Sequence, residues 1–306
     1  MTASLSVLKP TTITSATLSS STVAENDYPA WSSATAYAKD DFCISQVTHR
    51  IYQCMAPNTG KDPTSINNQA GTVAYWLDVG PTNRWAMFDG EVNTQTIAPL
   101  SLTVVLQPGP IDAIYLTGLE ASHIEIVVKS APGGDVIYSQ SAELEASAPD
   151  DYWEYFFDPF KPLTDFLVSD LAPWGGAEVT VTLSALGGDV KCGALAVGQL
   201  HPLGRTQRGA AAKPKTYSYI KTDDFGRTEI KRRKSTTDMT ASAYIDIAEA
   251  SAVTELLQSL LDVPTVWIGS SQPEYRALRV FGLGSGDVVF NGPSGAELSL
   301  TVQGLI

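Results

Sequence analysis

Apolar and polar residues alternate with a period of two along much of this chain. Val179, Val181 and Leu183 fall on one side of an extended segment, with Thr180 and Thr182 on the other, the pattern of a strand with one wet face. Similar signals recur at 100–106, 113–116, 124–128, 136–138 and 190–197, separated by glycine and proline. Pro132–Gly133–Gly134–Asp135 and Gly187–Gly188–Asp189 read as hairpin turns. Many short strands with no helix between them predict a central β-sandwich or jelly roll over 81–203.

A period near 3.6 occurs once. Val253, Leu256, Leu257, Leu260 and Leu261 form one apolar stripe, Asp246 and Glu249 have capping-box spacing at its start, and Pro264 stops it. A hairpin precedes this helix, 217–222 with 227–233 around the turn Asp223–Asp224–Phe225–Gly226, and strands at 265–268, 279–283, 287–290 and 297–302 accompany it. The expectation is a C-terminal α+β assembly domain, 215–306, with one amphipathic helix. The small, basic stretch 204–214 reads as a linker. Residues 1–25, rich in Ser and Thr, read as an extended N-terminal arm that either reaches a neighbour or frays. Between arm and sandwich, 26–80 is dense in aromatics, Asn, Asp, Gly and Pro, which suits a small β domain. Its segments 41–47 and 50–54 pair across Thr48 and His49, a register that sets Cys43 opposite Cys54. The whole chain is therefore expected to be mainly β.

Composition narrows the function. The chain has 306 residues, 43% hydrophobic and 17% charged, which suits several folded domains. A formal charge of −13 repels phosphate backbones, so nucleic acid is not an expected partner. No apolar run approaches the roughly 20 residues of a spanning helix, so no membrane insertion is expected. The first 21 residues lack the apolar block of a secretory leader, which predicts cytoplasmic synthesis. Whether Cys43 and Cys54 bond depends on the compartment; in a reducing cytoplasm they would stay as two small packed thiols.

The search for chemistry predicts no enzyme. His49, His123 and His201 are far apart and read as isolated turn or surface residues. Asp40–Asp41, Asp150–Asp151 and Asp223–Asp224 read as solvated turns, and Asp224–Phe225–Gly226 lacks every other kinase element. Gly282, Gly284 and Gly286 lack the context of a phosphate loop. No catalytic residue, metal site or cofactor is expected. The one basic cluster, Lys231, Arg232, Arg233 and Lys234 with Arg227 nearby, is either a solvated edge or a contact for an acidic neighbour, and these five are the candidate assembly residues. Tyr28, Trp31, Tyr37, Tyr52, Tyr75 and Trp76 either stack on sugar rings or form the core of the small domain.

Trp31, Tyr37–Ala–Lys–Asp–Asp41–Phe–Cys43, Tyr52–Gln–Cys54, Asn58–Thr–Gly60, Pro63 and Trp76 resemble the small chitin-binding carbohydrate modules of chitinases and phage tail proteins. Asp40 stands where that family has glycine. The resemblance implies a candidate carbohydrate-binding set of Trp31, Tyr37, Tyr52 and Trp76, with Trp31 and Tyr52 as stacking rings and Tyr37 and Trp76 as structural ones. The segment 80–90, Val266–Trp267–Ile268–Gly269 and the ending Val302–Gln–Gly–Leu305 resemble tail-tip or baseplate proteins of long-tailed bacteriophages. That resemblance implies a virion protein of the tail, made in the host cytoplasm and arranged as a ring or around a hub. Its partners would be copies of itself, other tail proteins and a host-surface polysaccharide. The alternative is a free or secreted non-catalytic carbohydrate-binding protein.

Overall fold

The computed structural model describes residues 4–145, 151–157, 162–222, 225–292 and 295–305, and the chain is mainly β. Six antiparallel strands, Ala194–Thr206, Ser4–Pro10, Thr265–Ile268, Arg279–Phe290, Gly295–Gly304 and Ser235–Asp246, pair in that order. Arg205 opposite Tyr244 and Thr206 opposite Ala243 join the last strand to the first and close a barrel. Closure leaves these strands no open edge along the joined stretch. Strict alternation fills the inside: Ala296, Leu298, Leu300 and Val302 from one strand meet Met239, Ala241, Ala243 and Ile245 from its neighbour. The helix Ile247–Ser259 adds Ala250, Val253 and Leu257 to the same core. It begins where the side chain of Asp246 accepts a hydrogen bond from the Ala248 N–H, and Leu261 at its end stays exposed.

The stretch 1–25, expected as an arm, builds both units. Strand Ser4–Pro10 is inserted between Ala194–Thr206 and Thr265–Ile268, turning Leu5 and Val7 into the barrel and Leu8 to the outside, all fully buried. Strand Leu18–Ser21 forms the edge of a second sheet. The expected linker 204–214 is also largely sheet: Ala194–Thr206 runs through its first residues, and Ala211–Thr216 pairs with Ser235–Asp246.

The central region is a two-layer arrangement. Val136–Glu143, His123–Lys129, Glu178–Cys192, Thr96–Leu106 and Leu18–Ser21 form a five-stranded sheet. It packs Ile124, Ile126, Val104, Val179 and Val181 against Ile114, Leu116, Val168, Leu195 and Val197 of the strands that extend the barrel sheet. Strand Ala194–Thr206 thus belongs to both the sandwich and the barrel. Pro132–Asp135 makes the hairpin turn expected of it, with the Ser130 N–H donating to Asp135 O. Gly187–Asp189 does not: Glu178–Cys192 continues through it, and 185–188 bulge outward where the register jumps from Ser184–Ser101 to Asp189–Pro99. Among the described residues no helix is long and apolar enough to cross a membrane.

Candidate functional site

The small domain holds a three-stranded sheet, Phe42–Ser45, Arg50–Cys54 and Trp76–Pro81, beside a two-residue ladder of Ala36–Tyr37 with Asn58–Thr59. Its hairpin register differs from the expected one. Cys43 faces Tyr52, Ile44 faces Ile51 and Ser45 faces Arg50, so the loop has four residues rather than two. Ser45 causes this: its backbone oxygen accepts the His49 N–H at 2.7 Å and its hydroxyl accepts the Val47 N–H at 3.3 Å. Cys43 and Cys54 are free, buried thiols on the same face as Tyr52. Burial, and then the neighbouring Cys54, pushes the Cys43 thiol up to about 12.

That face is the domain's core, and three of the four candidate sugar-binding rings lie in it. Tyr52 is 2% exposed, and its hydroxyl is 3.1 Å from the Thr48 hydroxyl. Trp76 is 1% exposed and donates its indole N–H to Lys61 O at 2.8 Å. Tyr37 meets Trp76 edge-on, centroids 5.0 Å apart, and its hydroxyl accepts the Ser32 N–H. Tyr52 therefore offers no face for sugar stacking, because the ring closes a core with few other large apolar groups. Trp31 is half-buried against the same cluster, its backbone N–H donating to Ile44 O at 2.9 Å. Tyr28 faces outward, stacked on Phe42 with centroids 4.9 Å apart, whereas Tyr75 is half-buried against the same cluster, with the Lys61 ammonium 5.3 Å from its ring centroid. Phe42 carried a usable signal, since it sits one residue from buried Cys43 and so points to the opposite face.

The candidate assembly residues sit on a projecting hairpin. Tyr219–Thr222 and Thr228–Lys231 pair only with each other, and every residue of both strands is exposed. Ile220 and Ile230 stand opposite one another, both exposed, while Lys231 pairs with Glu229 at 3.5 Å. Arg232, Arg233 and Lys234 follow at the base, where the Arg233 N–H donates to the Ser218 hydroxyl. Arg227 is exposed just before the second strand. The acidic turn at 223–224 and the pair at 150–151 fall wholly or partly outside the described residues. Asp40 and Asp41 do form a turn, Asp40 with φ of 71° and Asp41 accepting the Ala38 N–H.

One histidine departs from its expected isolation. His49 lies between Glu25 and Ser15, which sequence reasoning did not connect, since neither sits in a recognisable motif. His123 contacts Ser141 across two paired strands. Among the described residues no group of three or more His, Cys, Asp or Glu is placed to hold a metal ion. No family model, curated protein or solved structure matches the chain.

Proposed function

We propose that this protein is a structural component of a bacteriophage tail tip or baseplate, assembling with copies of itself as a ring or around a hub and meeting host-surface glycan through its small module. The observation that carries the reading is the hairpin. Residues 217–234 hold six Lys or Arg and three Asp or Glu, a net +3, which leaves −16 on the remainder of the chain. A two-stranded ribbon is marginal in water by itself, and the Ile220–Ile230 pair has no layer beneath it. An acidic neighbouring copy supplies both a cover and charge complementarity. Glycan contact falls to the outward Tyr28–Phe42 stack and to Trp31.

Sedimentation of the purified chain at low and high salt tests assembly. A salt-sensitive oligomer that Ile230→Glu dissolves without lowering the melting temperature is the expected result; a monomer under all conditions overturns it. Immunogold labelling with an antibody against residues 26–80 tests the location: label at the tail end of particles from the source strain is expected, and label absent from intact and disrupted particles removes the virion reading.

A further inference from the structure

Three segments that are distant in sequence converge on His49. Its Nδ1 is 2.9 Å from Glu25 Oε1 and 3.1 Å from Oε2, and its Nε2 is 2.9 Å from Ser15 Oγ. A carboxylate only accepts, so the neutral form of the ring carries its proton on Nδ1 and leaves Nε2 to accept the Ser15 hydroxyl. That is the order nucleophile, base, orienting acid which activates serine in acyl transfer. Glu25 is itself held, its Oε1 accepting the Thr82 hydroxyl at 3.1 Å. The ring of His49 lies flat on Trp85, centroids 4.0 Å apart and planes 16° apart. The backbone of His49 is fixed too: its N–H donates to Ser45 O, its carbonyl accepts the Thr82 N–H, and its φ is 57°, a left-handed conformation that non-glycine residues hold only when the surroundings impose it.

We propose that Ser15, His49 and Glu25 are the catalytic residues of a hydrolase acting on short-chain carboxylic esters. The serine is exposed and sits in a tight turn, where the N–H groups of Thr17 and Leu18 both donate to Thr14 O and the Thr14 N–H donates to Thr17 Oγ1. The turn uses neither the Ser15 nor the Ala16 N–H, and among the described residues neither has a partner, so both are available to an oxyanion beside the nucleophile. A cleft of about 280 Å³ borders Ser15 and His49; Ile13, Val47, Pro81, Trp85 and Phe88 line it together with the charged Arg50 and Asp89. Its apolar residues suit an acyl chain of a few carbons, for which the volume has room.

The reaction follows from these positions. Ser15 Oγ attacks the ester carbonyl carbon while its proton passes to His49 Nε2, and Glu25 faces the imidazolium that results. The tetrahedral adduct collapses, the C–O bond to the alcohol breaks, and the departing oxygen takes the proton from Nε2. A water then gives a proton to Nε2 as it adds to the acyl-serine carbonyl; the acyl C–Oγ bond breaks, Oγ takes the proton back from Nε2, and the carboxylic acid leaves with Ser15 restored. No oxidant, metal or cofactor is consumed.

This inference does not depend on the virion reading. The test is hydrolysis of p-nitrophenyl acetate and p-nitrophenyl octanoate by the full chain, with labelling by a fluorophosphonate and peptide mass spectrometry. Expected are turnover of the acetate above buffer, little of the octanoate, a label on Ser15, loss of turnover to background in Ser15→Ala, and at least a tenfold loss in Glu25→Gln. Ser15 is exposed, so its alanine variant should keep the circular dichroism of the parent, which separates lost chemistry from lost fold. Acetate turnover undiminished in Ser15→Ala, or a folded parent that neither turns over nor labels at Ser15, overturns the proposal and leaves the three residues as a latch between segments.

Discussion

The Trp267 indole lies across Gly284 so closely that a Cβ there would fall 2.2 Å from Cζ2 and 2.4 Å from Cε2. The same indole donates its N–H to Gly282 O at 3.2 Å, so the ring is fixed in the wall of the barrel and cannot tilt away without losing a buried bond. Gly284, which lacks the context of a phosphate loop, makes room for a tryptophan, whereas Gly282 makes room for the neighbouring strand, since a Cβ there would fall 2.1 Å from Gln303 O.

Gly284→Ala should therefore destabilise the barrel by about 1–3 kcal/mol through overpacking. Urea denaturation followed by tryptophan fluorescence measures it. A loss below about 0.5 kcal/mol, the scale of an ordinary surface change, would mean that the indole shifts freely.

Leu8→Ala should cost about 2–5 kcal/mol, the range for a large-to-small change in a close-packed core. Removing residues 4–10 should do more, exposing the facing edges of Ala194–Thr206 and Thr265–Ile268. Hydrogen exchange reads this directly: amides of both flanking strands should lose protection together. Protection unchanged in the truncated chain would contradict the barrel.

The two tryptophans of the small domain should separate stability from binding. Trp76→Ala removes a 1%-exposed ring and its bond to Lys61 O, and should cost about 3–5 kcal/mol, enough to unfold a domain of this size. Trp31→Ala should leave the near-ultraviolet circular dichroism of the domain recognisable while abolishing retention on host glycan. Full retention by a folded Trp31→Ala variant would remove that ring from the glycan surface.

Alkaline pH should weaken the fold. Burial raises both Cys43 and Cys192 from the ordinary 9.0 to about 12, so above pH 9 the unfolded chain releases thiol protons that the folded chain keeps. These groups favour the folded state fully below pH 9, and their contribution is lost as pH climbs toward 12. Melting temperatures from pH 8 to 11 should fall, less steeply in a Cys192→Ala variant. At pH 8 a disulfide reagent should find no reactive thiol in the native protein and three after urea.

Features decided within a dozen residues were readable in advance. The Asp246 cap and the Val253–Leu257 stripe specify their helix locally, as Pro132–Asp135 specifies its turn and Tyr219–Lys231 its hairpin. Features decided by distant partners were not. Ser4–Pro10 carries a short apolar run that fits an arm or a buried strand equally, and only residues near 200 and 267 settle which. Tyr52 and Trp76 could serve sugar or core because a flat amphipathic ring suits both; the parity of their strands relative to Cys43 and Cys54 decided it. His49 reads as isolated because its partners, Ser15 and Glu25, lie 34 and 24 residues away in segments with no pattern of their own.

The place of Ser4–Pro10 also sets an order of events during synthesis. This strand emerges early, yet its partners Ala194–Thr206 and Thr265–Ile268 follow far behind. At typical elongation rates of about 5–20 residues per second, Leu5, Val7 and Leu8 stay uncovered for roughly 15 to 50 seconds before the second partner exists. The small domain, whose strands all lie between 36 and 81, can close in that interval, whereas the barrel must wait for the strand Gly295–Gly304. Slow codons between Pro10 and Thr265 or a chaperone acting on Ser4–Pro10 would thus bear on the yield of native barrel.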